Sequence, residues 1–456
     1  MKNFIFFFIL CLSHIIIKVN AQLSPSLRKL HAAVLIEKKL YIFGGFNEIN
    51  LTPEIEANYN KNPDDRFFYL DVSIPFNTSN LPWRQIPDNA RNLPLGSLSS
   101  ITTGGVAVSI GGVNNDKIFF FNNEIDNSTK SISPVHSYNS PNNVWNTQNL
   151  SGVRPIGRNQ MKVVTDYTGK IYLLGFTFQD ITHPNGLFVC DTINLNCEIR
   201  DASFFSRLSY GATLLPNGII VYMGGRDASY SAVPDGFKMI FLYDTINDKW
   251  DSKITTGIFP PPDFGITTVL GLKGDKIILF GGVTNVGDNN LYVLNLTSYD
   301  WYVPQVKGTG PVSRRSEHCA NVIGKYMVVT FGFNGVFANY RQSGESDVLL
   351  LDISDDSEYV WTTSFDPTPL AINSPSSNPS NPLLSKSKTN NNIGIIIGIT
   401  IGIILFISII SLAVFLFIKR RKIVNKAIPT PGDTDDTEGI PSERDLSSKR
   451  KEWERL

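Results

Sequence analysis

The sequence predicts an all-β chain folded as a six-bladed β-propeller, and three observations carry that expectation. An apolar run ending in glycine, Lys39-Leu40-Tyr41-Ile42-Phe43-Gly44-Gly45, returns along the chain before Gly111-Gly112, Gly224-Gly225 and Gly281-Gly282, and with one glycine before Gly175 and Gly332. These copies are spaced by about 50 to 70 residues, a period that points to one propeller blade per repeat. Around each copy the chain divides into short alternating runs broken by turn residues, enough for four strands.

Taken in order, the first unit places strand a at His31 to Ile36, strand b at Leu40 to Phe43, strand c at Phe67 to Asp71 and strand d at Trp83 to Ile86. In the second unit Val106 to Ile110 reads as strand b, closed by Gly111-Gly112, and Ile118 to Phe121 reads as strand c. Strand c recurs at Leu187 to Asp191, Phe241 to Asp244, Leu291 to Asn295 and Val348 to Asp352. Strand d recurs at Trp145, Trp250, Trp301 and Trp361, with Cys197 where the third unit would carry its tryptophan. Glycine after strand b permits a positive φ and close backbone approach. The aromatic residues of strands b and d offer faces for packing one blade on the next, and Asp or Asn closing strand c bonds its own turn.

Paired glycines, Tyr and Trp at set distances, and the preceding Arg28 with His31 and Arg315 with His318 resemble the kelch repeat. The resemblance covers residues 28 to about 365 and implies a kelch-type propeller. Each repeat holds its own four strands, so no strand exchange is required to close the ring; a seventh blade would have to lie within the long first or second interval. Kelch propellers also resemble the central domain of galactose-oxidase-like copper enzymes. That chemistry needs two histidines, tyrosine ligands and a cysteine bonded to one tyrosine, whereas the chain beyond its leader holds only His31, His136, His183 and His318. His318 and Cys319 are neighbours on a strand and point to opposite faces. The reading is therefore non-enzymatic, with no metal and no cofactor, and a carbohydrate oxidase stands as the alternative.

The ends set the topology. Residues 1–21 have the basic start, apolar middle and small-residue finish of a signal peptide. The propeller follows at 22–365, then a Pro/Ser/Asn-rich stalk at 366–392. Residues 393–418 contain no charge, enough to span a bilayer, and Lys419-Arg420-Arg421-Lys422 follow. The expected product is a single-pass type I membrane protein of the plasma membrane or secretory endomembranes, with a disordered tail at 419–456. Gly394, Gly398 and Gly402 line one helical face and suggest a homodimer through that helix, although glycine is common in such spans. Lys+Arg and Asp+Glu balance at 41 each, which argues against a nucleic-acid binder.

Sequons at Asn50, Asn77, Asn127, Asn149 and Asn295 all precede the span, on the side where glycosylation occurs. Cys190 and Cys197 sit in strands c and d of one unit, so a hairpin could bring them together as a disulfide or leave them as two buried thiols. The long b-to-c connections gather on one face of the disc, and loops on a rigid scaffold carry recognition. They hold Arg226, Asp227, Tyr230, Asp288, Tyr340 and Arg341, types suited to stacking and charged hydrogen bonds with a protein or glycan ligand. A receptor that signals through its tail is a further alternative.

Overall fold

The alternating apolar runs pair into six antiparallel sheets, which a computed structural model describes over residues 23–45, 66–90, 106–122, 135–153, 162–176, 185–202, 204–283, 291–311, 315–333 and 346–368. Blade 1 is Ala32–Ile36, Lys39–Phe43, Phe67–Asp71 and Trp83–Gln85; blade 2 is Val106–Gly111, Lys117–Asn122, Val135–Asn139 and Val144–Gln148. Blade 3 is Val163–Thr165, Lys170–Phe176, Asn185–Asp191 and Asn196–Asp201; blade 4 is Gly211–Leu214, Ile219–Met223, Met239–Asp244 and Lys249–Ile254. Blade 5 is Thr267–Leu270, Lys276–Phe280, Leu291–Asn295 and Asp300–Tyr302; blade 6 is Cys319–Ile323, Tyr326–Thr330, Val348–Asp352 and Tyr359–Thr362. Every blade takes strands a to d in chain order from the axis outward. The innermost strands neighbour one another around the axis, and Cys319–Ile323 lies beside Ala32–Ile36, so the ring of six closes.

Packing follows from the pleat. Strand b is buried on both faces and supplies alternate residues to the blade on either side. Six apolar clusters result, one at each junction: Ile42, Phe68 and Trp83 meet Val328 and Leu350 between blades 1 and 6, and Tyr41 and Phe67 meet Phe120 and Tyr138 between blades 1 and 2. The strand-d tryptophans also tie backward. The indole N–H of Trp145 donates to the Ala90 carbonyl (2.7 Å), that of Trp301 to Phe237 (3.0 Å), and that of Trp250 to Asp201 (3.1 Å).

The second unit departs from the sequence expectation. Val106–Gly111 is strand a, not b; Lys117–Asn122 is strand b, not c. The glycines there serve the a-to-b turn: a Cβ on Gly111 would lie 2.6 Å from Thr192 Oγ1 of blade 3, and the N–H of Gly112 donates to that same hydroxyl (2.8 Å). In sequence, Asn122-Asn123 stand where other blades carry glycines, and asparagine tolerates the left-handed region better than most residues. The b-to-c connection of this blade is thus 123–134, outside the described residues, and 113–116 belongs to the opposite face. In blade 6, Phe331 adopts φ 49° at the first glycine position and Gly332 takes the second.

A second device joins successive blades. The chain leaving blades 2, 4 and 5 adds a two-residue strand, Ser151–Gly152, Thr256–Gly257 or Val306–Lys307, parallel to the outer strand of the following blade. A glycine ends each strap, at 152, 257 and 308, with φ of 80°, 85° and 79°. A Cβ there would collide with the carbonyl of Cys197, Trp301 or Trp361. Leaving blade 6, Ser364–Phe365 does the equivalent for the ring, pairing antiparallel with Phe76–Asn77 in the c-to-d connection of blade 1. Phe76 and Phe365 stack at 4.6 Å, and Ser346 Oγ donates to the Thr78 carbonyl at 2.6 Å. Closure therefore needs no exchanged strand.

Among the described residues no helix is long and apolar enough to cross a membrane. The expected leader at 1–21, most of the stalk, the span at 393–418 with Gly394, Gly398 and Gly402, and the tail lie outside the described residues.

Candidate functional site

Three arginines build the rim of the b-to-c face. Arg28 Nη1 donates to the Gly44 carbonyl (2.9 Å), Arg207 Nη1 to Gly224 (3.2 Å) and Arg315 Nη1 to Phe331 (3.2 Å), each reaching the first residue after strand b of its own blade. Burial lowers the pKa of Arg207 to about 10. Blade 5 carries Asp263 instead, whose Oδ1 accepts from the N–H of Phe264 and of Val283, both at 2.8 Å. Three residues beyond each arginine a polar ring bridges to the preceding blade: His31 Nε2 pairs with Thr330 Oγ1 (2.9 Å), His318 Nε2 with Thr267 Oγ1 (2.7 Å), and the Tyr210 hydroxyl donates to the Leu174 carbonyl. Burial, aided by Arg28 and Lys162, holds His31 well below the ordinary histidine range, and burial with Lys162 and Arg315 does the same for His318. These are neutral, inward-facing wedges between blades. Cys319 Sγ–H donates to the His31 carbonyl, toward the blade opposite from that reached by His318.

One b-to-c loop, residues 224–238, is described throughout. Gly224 and Gly225 (φ 65° and 93°) turn the chain out of strand b. The N–H of Gly224 then donates to Gly236 (2.7 Å), and that of Val233 to Gly225 (3.0 Å), closing the loop on itself. Asp227 Oδ1 accepts from Ser229 N–H (2.8 Å), Ser229 Oγ–H (2.6 Å) and Ser231 N–H (3.1 Å), which holds its carboxyl below the usual range. Arg226, expected from sequence to reach outward, is 3% exposed: its guanidinium lies under the Tyr230 ring at 3.7 Å and donates to the Asp227 carbonyl. Tyr230 alone of the three projects, 71% exposed with φ 65°. Arg226 and Asp227 thus support the loop from within, and Tyr230 projects from it. Asp288, Tyr340 and Arg341 lie outside the described residues.

Inside this rim the axial channel widens into a cavity of about 240 Å³, lined by the innermost strand of every blade. Its mouth is belted by main-chain hydrogen bonds running Leu30 to Glu317, Glu317 to Gly265 and Gly265 to Ser209, each N–H to the next carbonyl at 2.8 to 2.9 Å. Among the described residues no group of three His, Cys, Asp or Glu side chains is arranged to hold a metal ion. His136 pairs with Thr147 Oγ1 (3.3 Å) in blade 2, and His183 lies outside the described residues.

Cys190 and Cys197 face each other across strands c and d and are joined as a disulfide. Cys197 occupies the register position of Trp250 and Trp301, so the bond stands where the other blades place an indole. Of the sequons, Asn77 and Asn149 are exposed; Asn295 closes strand c and its Oδ1 accepts from the N–H of Thr297 (2.8 Å) and Ser298 (3.2 Å), as Asp244 does in blade 4. Asn50 and Asn127 lie outside the described residues. The signals missed in sequence were Arg207-x-x-Tyr210, a variant of the Arg-x-x-His spacing, and the strap glycines.

The geometry matches known proteins at two levels. Residues 209–378 match the KLHDC2/KLHL20/DRC7 Kelch-repeats domain. That stretch of the propeller is similar to kelch repeats. Host cell factor 1 of Rattus norvegicus is 33% identical over 220 residues, 44% of this chain, and the Homo sapiens protein gives the same figures. The chain spans only about 11% of the length of those relatives. Kelch domain-containing protein 3 of Rattus norvegicus is 23% identical over 345 residues, covering 71% of this chain and 84% of that protein. The solved structure of YjhT superposes with a TM-score of 0.52 at 11% identity, covering 74% of this chain and 98% of that one, a likeness of fold.

Proposed function

We propose that this chain is a non-enzymatic recognition module, anchored to a membrane by residues 393–418, that binds a protein or glycan through the b-to-c face. The observation that carries the reading is Tyr230: a large aromatic side chain held in the left-handed region, exposed to solvent, and stacked on a buried arginine by a loop whose polar groups are satisfied internally. Loops on a rigid scaffold disproportionately carry recognition residues, and tyrosine supplies contact area at low entropic cost. The main-chain N–H of Asp366 donates to the Tyr326 hydroxyl (3.3 Å), at the a-to-b half of blade 6, shortly before the described chain ends. The arginines and histidines of the rim are engaged in holding blades together, which favours binding over catalysis.

The test uses the full chain displayed on cells, probed with glycan arrays and soluble extracellular protein libraries. Tyr230→Ala should weaken the strongest hit about tenfold or more, in line with a central aromatic anchor, while surface level and melting temperature stay unchanged. Unaltered binding by Tyr230→Ala would sink the assignment of this face. For the topology, each of Asn50, Asn77, Asn127, Asn149 and Asn295 changed to Gln should remove one glycosidase-sensitive step in gel mobility; an absence of any such step overturns it.

A further inference from the structure

The innermost strands break the symmetry of the ring at one position. Register places Ala32 opposite Phe43, Ala107 opposite Phe121, Gly211 opposite Met223, Thr267 opposite Phe280 and Cys319 opposite Thr330. Lys162, one residue before Val163 and its partner Leu173, holds the same position in blade 3. Five blades thus place a small side chain at this level of the axis, and the sixth places a long cation. The small residues leave the cavity of about 240 Å³, and Lys162 lines it.

Its charge reaches across the opening. Lys162 acts on His31, His318 and Cys319, which belong to blades 1 and 6, on the far side of the ring from blade 3. Among the described residues the Lys162 ammonium has no ion-pair or side-chain hydrogen-bond partner, whereas the one acid lining the cavity, Glu317, is paired with Lys29 at 3.4 Å. The remaining wall sets the small apolar side chains of Ala33, Val108, Ala212 and Ala320 beside the polar Ser209, Thr268 and Asn321. A cation facing a confined, partly apolar space without a counter-charge favours an anion, since low-dielectric walls strengthen the attraction. One cation set beside a row of alanines, with hydroxyl and amide groups between them, suits a carboxylate bearing a short apolar body better than a fully polar oxyanion.

We propose that the axial cavity is a binding site for a small organic carboxylate, with Lys162 as its charge partner and the alanine-rich wall receiving its apolar part. The site is separate from the loops that carry Tyr230 and does not depend on their role.

The experiment is a thermal-shift and isothermal-calorimetry titration of the purified full chain with acetate, butyrate and inorganic phosphate, at fixed ionic strength in chloride. Butyrate should raise the melting temperature more than acetate, and phosphate least. Lys162→Met should weaken the butyrate response about tenfold or more, as expected for losing a charged hydrogen bond, and Lys162→Arg should retain it. If Lys162→Met does not fold, Lys162→Gln takes its place against Lys162→Arg. No response to any carboxylate, an equal response in the uncharged variant, or a phosphate response exceeding that to butyrate would each overturn the proposal. Tyr230→Ala should leave the titration unchanged, which separates this result from the loop-face reading.

Discussion

Gly45, Gly225 and Gly332 share one contact that explains why glycine is needed at the second position after strand b. A Cβ there would come within 2.8 Å of the His31 Cβ, 3.0 Å of Tyr210 and 2.8 Å of His318, the bridging residues of the same blades. With φ at 81°, 93° and 105°, any side chain would also be strained. Gly332→Ala should therefore cost roughly 1–3 kcal/mol in chemical denaturation, whereas Gly324→Ala, with φ 57° and open space around it, should cost less. The bridging histidines add a pH dependence. Both are held neutral well below the ordinary value, so above about 6.5 folded and unfolded states bind equal protons. As pH falls below that value the unfolded chain takes up protons that the folded ring refuses, and stability declines. Melting temperature should drop between pH 7 and pH 5, and His31→Gln with His318→Gln should flatten that slope; an equal slope in the double variant would exclude these residues as its source.

Outside blade 2 the blades were legible from the period-two runs, because alternate residues of a strand must enter opposite junctions and the sequence keeps that alternation. Blade 2 departs from the sequence reading for a physical reason: its glycines relieve contact with Thr192 from the next blade, a tertiary demand with no local signature. The same limit applies to Arg226, whose charge suggested exposure but whose guanidinium is covered by Tyr230. Cys197 was correctly placed at the tryptophan position by spacing, although its bond to Cys190 depends on a hairpin register that only the fold fixes. Loss of that bond should cost about 2–3 kcal/mol on the loop-closure estimate. Cys190→Ala with Cys197→Ala should thus melt several degrees lower than the parent, and reductant should bring the parent to the same value without affecting the variant.

Across the whole molecule, stability rests on six junctions of similar make, so the seam between blades 6 and 1 is where chain connectivity is absent and noncovalent contacts must suffice. Phe365 is 2% exposed and packs on Phe76 and Tyr326. Phe365→Ala should cost about 3–5 kcal/mol, the usual range for a buried phenylalanine, and a chain ending at 362 should unfold at lower denaturant than one ending at 368. Equal midpoints for the two truncations would show that the last strap contributes nothing to closure. The strap also gives the molecule a mechanical direction. Any tension entering from beyond residue 368 meets Ser364–Phe365 first, and the hydrogen bonds of that strand to Phe76–Asn77 are what resist it. A pull strong enough to part them would open the ring between its first and last blades, at the one junction where no covalent chain runs from one blade to the next, so the segment that leaves the propeller is also the latch that keeps it shut.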